Sequence, residues 1–148
     1  MKVEFRIATE SDIEGIIQLC NECFNEKTSL EYAKKMFDKN KNDENTIQII
    51  GVLDNNIIAY VRLAIVPTMF EDMNTYAIIN HFCVKDEYRR KNIATSLLKE
   101  VNKICLSKGI KSLKLWSKNF RIPAHSCYKK FGFETIDAAF FEREVKEN

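Results

Sequence analysis

Val84-Lys85-Asp86-Glu87-Tyr88-Arg89-Arg90-Lys91-Asn92-Ile93-Ala94-Thr95-Ser96-Leu97-Leu98 joins a strand-like segment to the most regular helical pattern in the chain. Upstream, residues 75–84 carry apolar side chains on both parities, among them Ala77, Ile78, Ile79, Phe82 and Val84, as in a central strand covered on both faces. Downstream, Ile93, Ala94, Leu97, Leu98, Val101, Ile104 and Cys105 recur at helical spacing, and Gly109 can close that helix as a left-handed cap. Residues 112–116 then alternate like a strand. Strand, helix and strand in this order form a right-handed crossover whose strands are parallel or nearly so. The turn itself places Arg89, Arg90 and Lys91 just before a helix N-terminus. Amides without partners and the positive end of the macrodipole make such a junction a place for phosphate oxygens. From charge alone, a solvated basic turn accounts for the three cations equally well.

Outward from this junction the chain resolves into short elements. Residues 5–8 read as an opening strand, followed by Thr9-Glu10-Ser11-Asp12, a Thr-x-x-Asp variant of the capping box. Ile13, Ile16, Ile17, Cys20, Cys23 and Phe24 then line one helical face. A second helix is expected over 29–40, with Tyr32, Ala33, Met36 and Phe37 turned inward. Residues 46–53 and 57–66 are rich in β-branched side chains and flank Asp54-Asn55-Asn56, which reads as a hairpin. Pro67 ends the second of these strands, and the loop 68–74 carries Glu71 and Asp72, whose default reading is a solvated acidic turn. A loop over 117–123, a short helix over 124–131 stopped by Gly132, and strands over 133–136 and 139–145 complete the chain. The expectation is one α+β domain over 1–148, with a mostly antiparallel mixed sheet of about six to seven strands flanked by about four helices.

Composition narrows the function classes. The chain has 148 residues, a net charge of +2, four Gly, two Pro and five Cys. That length buries enough surface to need neither disulfide nor structural metal, and the charge is too small to argue for a general polyanion partner. No run approaches the ~20 apolar residues of a membrane span and the N-terminus has no apolar signal core, so the chain reads as cytosolic. An odd cysteine count suits a reducing compartment. Cys20 and Cys23 form a Cys-x-x-Cys pair, but on an apolar helix face and without a second ligand pair they read as packing side chains, and no metal site is expected.

Three segments together resemble the GNAT superfamily of acetyl-coenzyme A-dependent N-acetyltransferases. The pyrophosphate loop of that superfamily reads Gln/Arg-x-x-Gly-x-Gly/Ala after a strand ending in Val; Arg89 and Ala94 match its outer positions, and Asn92 stands where Gly is usual. Asn is the non-glycine residue most at ease with positive φ, and it is a good N-cap. The opening Arg6-Ile7-Ala8-Thr9-Glu10-Ser11-Asp12 resembles the superfamily's first strand and helix start. Residues 123–133, Pro-Ala-His-Ser-Cys-Tyr-Lys-Lys-Phe-Gly-Phe, resemble its Ala-x-x-x-Tyr-x-x-x-Gly-Phe segment.

The resemblance implies acetyl-CoA as co-substrate, held by Arg89, Arg90, Lys91, Asn92, Ile93, Ala94 and Thr95, with backbone groups of Phe82, Cys83 and Val84 pairing with the pantetheine arm. It places Asn119 near the coenzyme and Tyr128 facing its sulfur. A tyrosine of ordinary pKa about 10 stays protonated where a thiol of about 8.5 is leaving, which suits Tyr128 as proton donor. Without the resemblance, its shared stripe with Ala124 and Phe131 reads as packing. Cys83 reads as a bystander, with a covalent acetyl-cysteine route as the alternative. The carboxylate common on the central strand of the superfamily is replaced by Ile78 and Asn80; Asn80 can orient a water, and neighbouring His81, whose default reading is a structural or surface histidine, can take a proton only if a bulge turns it to the same face. His125, one turn before Tyr128, stands either near the ligands or at a plain surface.

The implied activity is transfer of acetyl to a primary amine of a small molecule or peptide by direct attack in a ternary complex. The alternative is a non-catalytic acyl-CoA-binding sensor, suggested by Asn92 and the missing carboxylate. Nucleic-acid binding is disfavoured because no basic stripe continues along the helix after Lys91. Similar proteins often form homodimers, and exposed final strands would suit one.

Overall fold

Strand β1 (Glu4–Ile7) runs antiparallel to β2 (Thr46–Leu53), β2 to β3 (Asn56–Val66), and β3 to β4 (Tyr76–Val84). Parallel to β4 lies β5 (Ser112–Lys114), so the sheet order follows the chain order. Between them run helices α1 (Ile13–Phe24), α2 (Leu30–Asn40) and α3 (Ile93–Ser107), with α4 (Ile122–Phe131) after β5. The structure is a computed structural model that describes residues 2–147, and it is an α+β fold with a mixed sheet. It divides into two compact units, one ending at Ser117 and one beginning at Lys118.

Local chemistry sets most boundaries. The β2–β3 hairpin turns on Asp54 and Asn55, whose φ values of 50° and 64° are the doubly left-handed pair that a two-residue hairpin needs. Asp12 gathers the start of α1: its carboxylate takes both Arg6 guanidinium N–H groups at 2.7 and 2.9 Å, the Thr9 amide at 2.7 Å and the Thr9 hydroxyl at 3.0 Å. The expected Thr-x-x-Asp box is therefore present, closed by a short 3-10 turn at Glu10–Asp12. Ser29 caps α2 by accepting the Tyr32 amide at 3.1 Å.

Two apolar layers cover the sheet. Ile16, Leu19 and Cys20 of α1 pack with Ile50, Tyr60 and Cys83 on one face. Residues of the opposite parity, including Ile49, Val61 and Leu63, are fully buried on the other face, and α3 lies against β2, β3 and β4 with Leu97, Leu98 and Val101 buried. Burying each such side chain contributes roughly 1.5–3 kcal/mol.

Two expectations need correction. The sheet has five strands, not six to seven, because residues 133–147 form none. Aromatic and β-branched content says only that a segment suits a pleated, half-buried surface; a strand also needs an edge to pair with. Within the second unit α4 is the one regular element among the described residues, so that unit supplies no edge. Tyr32, expected inward, is 59% exposed. No residue of α2 is buried, and its aliphatic spacing reflects partial shielding only.

Candidate active site

The register between β3 and β4 breaks in the middle. Arg62 pairs with Asn80 and Tyr60 with Cys83, so two β4 residues, His81 and Phe82, stand opposite Val61 alone. This is a β-bulge, and His81 takes it up with φ of 48°, a left-handed conformation uncommon for residues other than Gly but one that Asn, Asp and His adopt more often than most. The extra residue moves Cys83 onto the face that Asn80 shares with Tyr60, where α1 packs. His81 turns toward the end of α1 as well. Its Nε2 lies 3.1 and 3.2 Å from the two carboxylate oxygens of Glu26, and its ring meets Phe24 edge-on at 5.3 Å. The bulge on which His81 depended is thus present. Asn80 spends its amide oxygen differently, accepting from Arg62 Nη1 at 2.9 Å.

Glu26 was not among the sequence candidates. Asn25 ends α1 in the left-handed conformation with φ of 52°, and Glu26 follows where the chain turns toward α2. An Asn after an apolar helical stripe is a readable stop signal, although it does not say what the next side chain meets. Glu26 also lines a shallow, open cleft of about 550 Å³ with Lys27, Thr28, Ser29 and Tyr32.

Past the bulge, β4 leads into the basic turn. Cys83 and Val84 are buried and Phe82 is half-buried. A 3-10 turn over Asp86–Tyr88 precedes Arg89, which donates Nε–H to the Val84 carbonyl at 3.1 Å and pairs with Asp86 at 3.1 Å. Arg90 and Asn92 both adopt positive φ, 62° and 63°, on either side of Lys91, whose ammonium sits 5.7 Å from the Tyr88 ring centroid. Ile93 is buried and anchors the helix start, while Ala94 and Thr95 are half-buried. The first helical amide to reach a backbone acceptor is that of Ser96, bonded to the Asn92 carbonyl at 3.0 Å. Among the described residues the amides of Arg90 to Thr95 have no backbone acceptor. Asn92 supplies the left-handed backbone expected of it, but its side chain makes no capping hydrogen bond, because that conformation differs from the extended one of an N-cap. The concave run of amides is of the kind that receives phosphate oxygens, so the residues present fit a pyrophosphate-bearing coenzyme.

A cluster of thiols adjoins this turn. Cys23 donates Sγ–H to the Val84 carbonyl at 3.7 Å, and Cys20 and Cys83 lie in the same core cluster. Hydrogen bonding from Cys83, with help from the nearby Arg89 charge, holds the Cys23 thiol below its ordinary range. Cys83 is pushed up by its bonds to Cys20 and Cys23 and by burial, which makes it a poor nucleophile. All five cysteines are free, and the described residues contain no group of three or more His, Cys, Asp or Glu placed to hold a metal ion. No described helix is long and apolar enough to cross a membrane.

In the second unit, Asn119 is exposed in the loop before α4. Tyr128 lies on α4, its ring 5.9 Å from that of Phe133 in an edge-on contact, and burial raises its pKa, which keeps the phenol protonated at neutral pH. Gly132 ends α4 with φ of 107°. His125 Nε2 is buried without a hydrogen-bond partner, so His125 is no plain surface residue.

The family model of the acetyltransferase (GNAT) family matches residues 13–133, on both sides of the division at Ser117. The chain belongs to this family. It is 25% identical to a spermidine N(1)-acetyltransferase of Thermoplasma acidophilum over 99% of this chain and 98% of that protein. Among solved structures, a transcriptional regulator from Bacillus halodurans shares the fold with a TM-score of 0.86 at 18% identity, covering 97% of this chain and 100% of that one. A protein described as a predicted acetyltransferase from Clostridium acetobutylicum, solved with acetyl-CoA, has a TM-score of 0.77 at 18% identity over 96% of each chain. The chain is therefore a GNAT acetyltransferase, an enzyme of a family that uses acetyl-CoA.

Proposed function

We propose that this acetyltransferase moves the acetyl group of acetyl-CoA to a primary amine of a small molecule or peptide, by direct attack within a ternary complex. The observation that carries the reading is the turn from Arg90 to Thr95: two left-handed residues and a helix start present a row of amides beside Arg89, Arg90 and Lys91. Those amides and cations bind and orient the coenzyme's diphosphate. β5 accompanies β4 only as far as Ile78, and in this reading the backbone of Phe82, Cys83 and Val84 guides the pantetheine arm. Asn119 contributes a further polar contact. When bound, acetyl-CoA supplies an activated acyl group with a thiol leaving group.

Tyr128 is the proton donor in this reading, since burial keeps its phenol protonated at neutral pH and so able to donate a hydrogen bond, and a proton, to the departing sulfur. The spermidine acetyltransferase relative supports a cationic amine as acceptor. Reduced cysteines accord with a cytoplasmic setting.

The test is direct. At a hundredfold over its dissociation constant, acetyl-CoA should stabilise the protein by about 2.7 kcal/mol, read as a thermal shift. Thiol release should follow with at least one primary amine from a panel of spermidine, an amino sugar and a lysine peptide. Tyr128→Phe should lower kcat by tenfold or more and leave the coenzyme-induced shift in place. Absence of both shift and release would remove the proposal; wild-type kcat in Tyr128→Phe would remove the donor role alone.

A further inference from the structure

We propose that Cys23 is a peroxide-sensitive modification site, where the α1 thiol is oxidised and then closes a disulfide with Cys83 of β4; the consequence for coenzyme binding rests on the acetyl transfer proposed above. Sequence alone pairs Cys20 with Cys23 on one helix face. The fold brings a third thiol from the opposite wall. Cys20 and Cys83 are buried in one core cluster, Cys23 packs against it, and the Cys83 thiol hydrogen-bonds both helix cysteines. The β4 bulge makes this meeting, because it moves Cys83 onto the face where α1 packs.

Of the three, Cys23 is the reachable one: it is half-buried, whereas Cys20 and Cys83 are 5% and 6% exposed. Its surroundings also favour the thiolate. Cys83 donates to its sulfur and the Arg89 charge lies nearby, which outweigh burial and hold its pKa at about 7. A reachable thiol with thiolate character, set beside a second thiol, is what peroxide oxidises selectively. Geometry then chooses the partner. Cys20 and Cys23 stand three residues apart on α1, where helix neighbours hold their Cβ atoms roughly 5–6 Å from each other, while a disulfide needs about 3.5–4.5 Å. Cys83 faces Cys23 across the packing of two separate elements, which can approach without distorting the helix.

Hydrogen peroxide is the oxidant. The Cys23 thiolate forms a bond to one peroxide oxygen as the O–O bond breaks, and the other oxygen leaves as water with a proton from solvent, giving a sulfenic acid. Bonds to Cys20 and Cys23, together with burial, keep Cys83 protonated until then, so Cys83 does not react first. Oxidation removes the negative charge from Cys23 and with it part of that hold. The Cys83 sulfur next bonds to the Cys23 sulfur as the S–O bond breaks, and the hydroxyl leaves as water with the Cys83 proton. Two thiols have given two electrons and one peroxide has become two waters.

The new bond acts on the basic turn through Val84. It ends the contact of Cys23 Sγ–H with the Val84 carbonyl at 3.7 Å and draws the end of β4 toward α1. That same carbonyl accepts Arg89 Nε–H at 3.1 Å. Oxidised protein therefore holds the turn less well and binds acetyl-CoA more weakly, and reduction reverses this.

The experiment treats the full chain with hydrogen peroxide, alkylates the remaining thiols and maps them by peptide mass spectrometry before and after dithiothreitol. The expected product joins the peptides carrying Cys23 and Cys83, lacks two hydrogens and disappears on reduction. Cys20→Ala should form the same link. Cys83→Ala should stop at a Cys23 sulfenic acid that dimedone captures, and Cys23→Ser should form no link. In the thermal-shift titration, oxidised wild type should bind acetyl-CoA about tenfold more weakly and recover on reduction, while peroxide should leave the affinity of Cys23→Ser as it was. A Cys20–Cys23 link, oxidation of Cys23 without a link, or thiols that peroxide leaves unchanged overturns the site. A Cys23–Cys83 link with unaltered affinity overturns the effect on the turn. Reduced wild type that binds no acetyl-CoA overturns the function proposed above and leaves the disulfide standing.

Discussion

Replacing Asp12 by Asn should destabilise the chain in a pH-dependent way, because the carboxylate is 7% exposed and accepts four hydrogen bonds of 3.0 Å or less. The Arg6 bidentate pair comes first among the causes that hold its pKa at about 2, against an ordinary 3.8, and the Thr9 bonds add to it. One pKa unit is 1.36 kcal/mol, so the depression corresponds to about 2 kcal/mol, an upper value because solvent reaches the Arg6 side of the pair. A depressed pKa means that the charged form is favoured by folding. The contribution is therefore complete well above the unfolded value and is lost as pH falls through the folded one, with about half gone at pH 3. Urea unfolding of wild type and Asp12→Asn from pH 7 to pH 3 measures this. The gap between them should be up to about 2 kcal/mol at pH 7 and should narrow to about 1 kcal/mol at pH 3. A gap that does not change with pH, or one under about 0.5 kcal/mol at pH 7, would refute the reasoning. The clamp matters beyond stability because it seats α1, whose far end carries Cys23 against the same Val84 carbonyl that holds Arg89 of the basic turn.

Two further outcomes are expected. Asn92→Gly should alter stability by no more than about 0.5 kcal/mol, since relief of the left-handed backbone is offset by the entropy of glycine, whereas Asn92→Val should cost about 2 kcal/mol in urea unfolding and weaken acetyl-CoA in the thermal-shift titration. Cys23 should be alkylated by iodoacetamide at pH 7 ahead of Cys20, Cys83 and Cys105, as read by peptide mass spectrometry, because its lowered pKa exposes thiolate as pH rises toward neutral; Arg89→Ala should slow it, and labelling of Cys83 first would contradict the assignment.

Much of the fold was legible because its signals are local. Asp54-Asn55 carries its own conformational preference, so the hairpin and both its strands could be read residue by residue, and the same holds for Gly132 after α4. Alternation and helical spacing located β4, α3 and the parallel step to β5. What escaped depends on partners distant in sequence. Residues 133–147 have strand-like composition, but whether they pair depends on an available edge. Leu19, 3% exposed, is the exception: it was left off the α1 face although it stands three residues after Ile16 and four before Cys23, so its signal was local and readable. Glu26, by contrast, was invisible: nothing within its neighbourhood announces a histidine 55 positions later.

The bulge is the point where local and distant information meet. Ala77, Ile79 and Cys83 are buried on odd positions of β4 and Val84 on an even one, with the polar pair Asn80-His81 between them, so burial alone does not reveal the change of face that the register shows. A regular strand would have sent Cys83 to the α3 face and Val84 to the α1 face. One inserted residue exchanges them. Cys83 then closes the core under α1, the Val84 carbonyl meets both Cys23 and Arg89, and His81 swings to Glu26. A single backbone irregularity thus sets the direction of the imidazole and the anchorage of the basic turn together. Deleting Phe82 to restore the register should therefore weaken acetyl-CoA in the thermal-shift titration and separate His81 from Glu26 at once, whereas His81→Asn, which leaves the irregularity intact, should leave the coenzyme-induced shift in place.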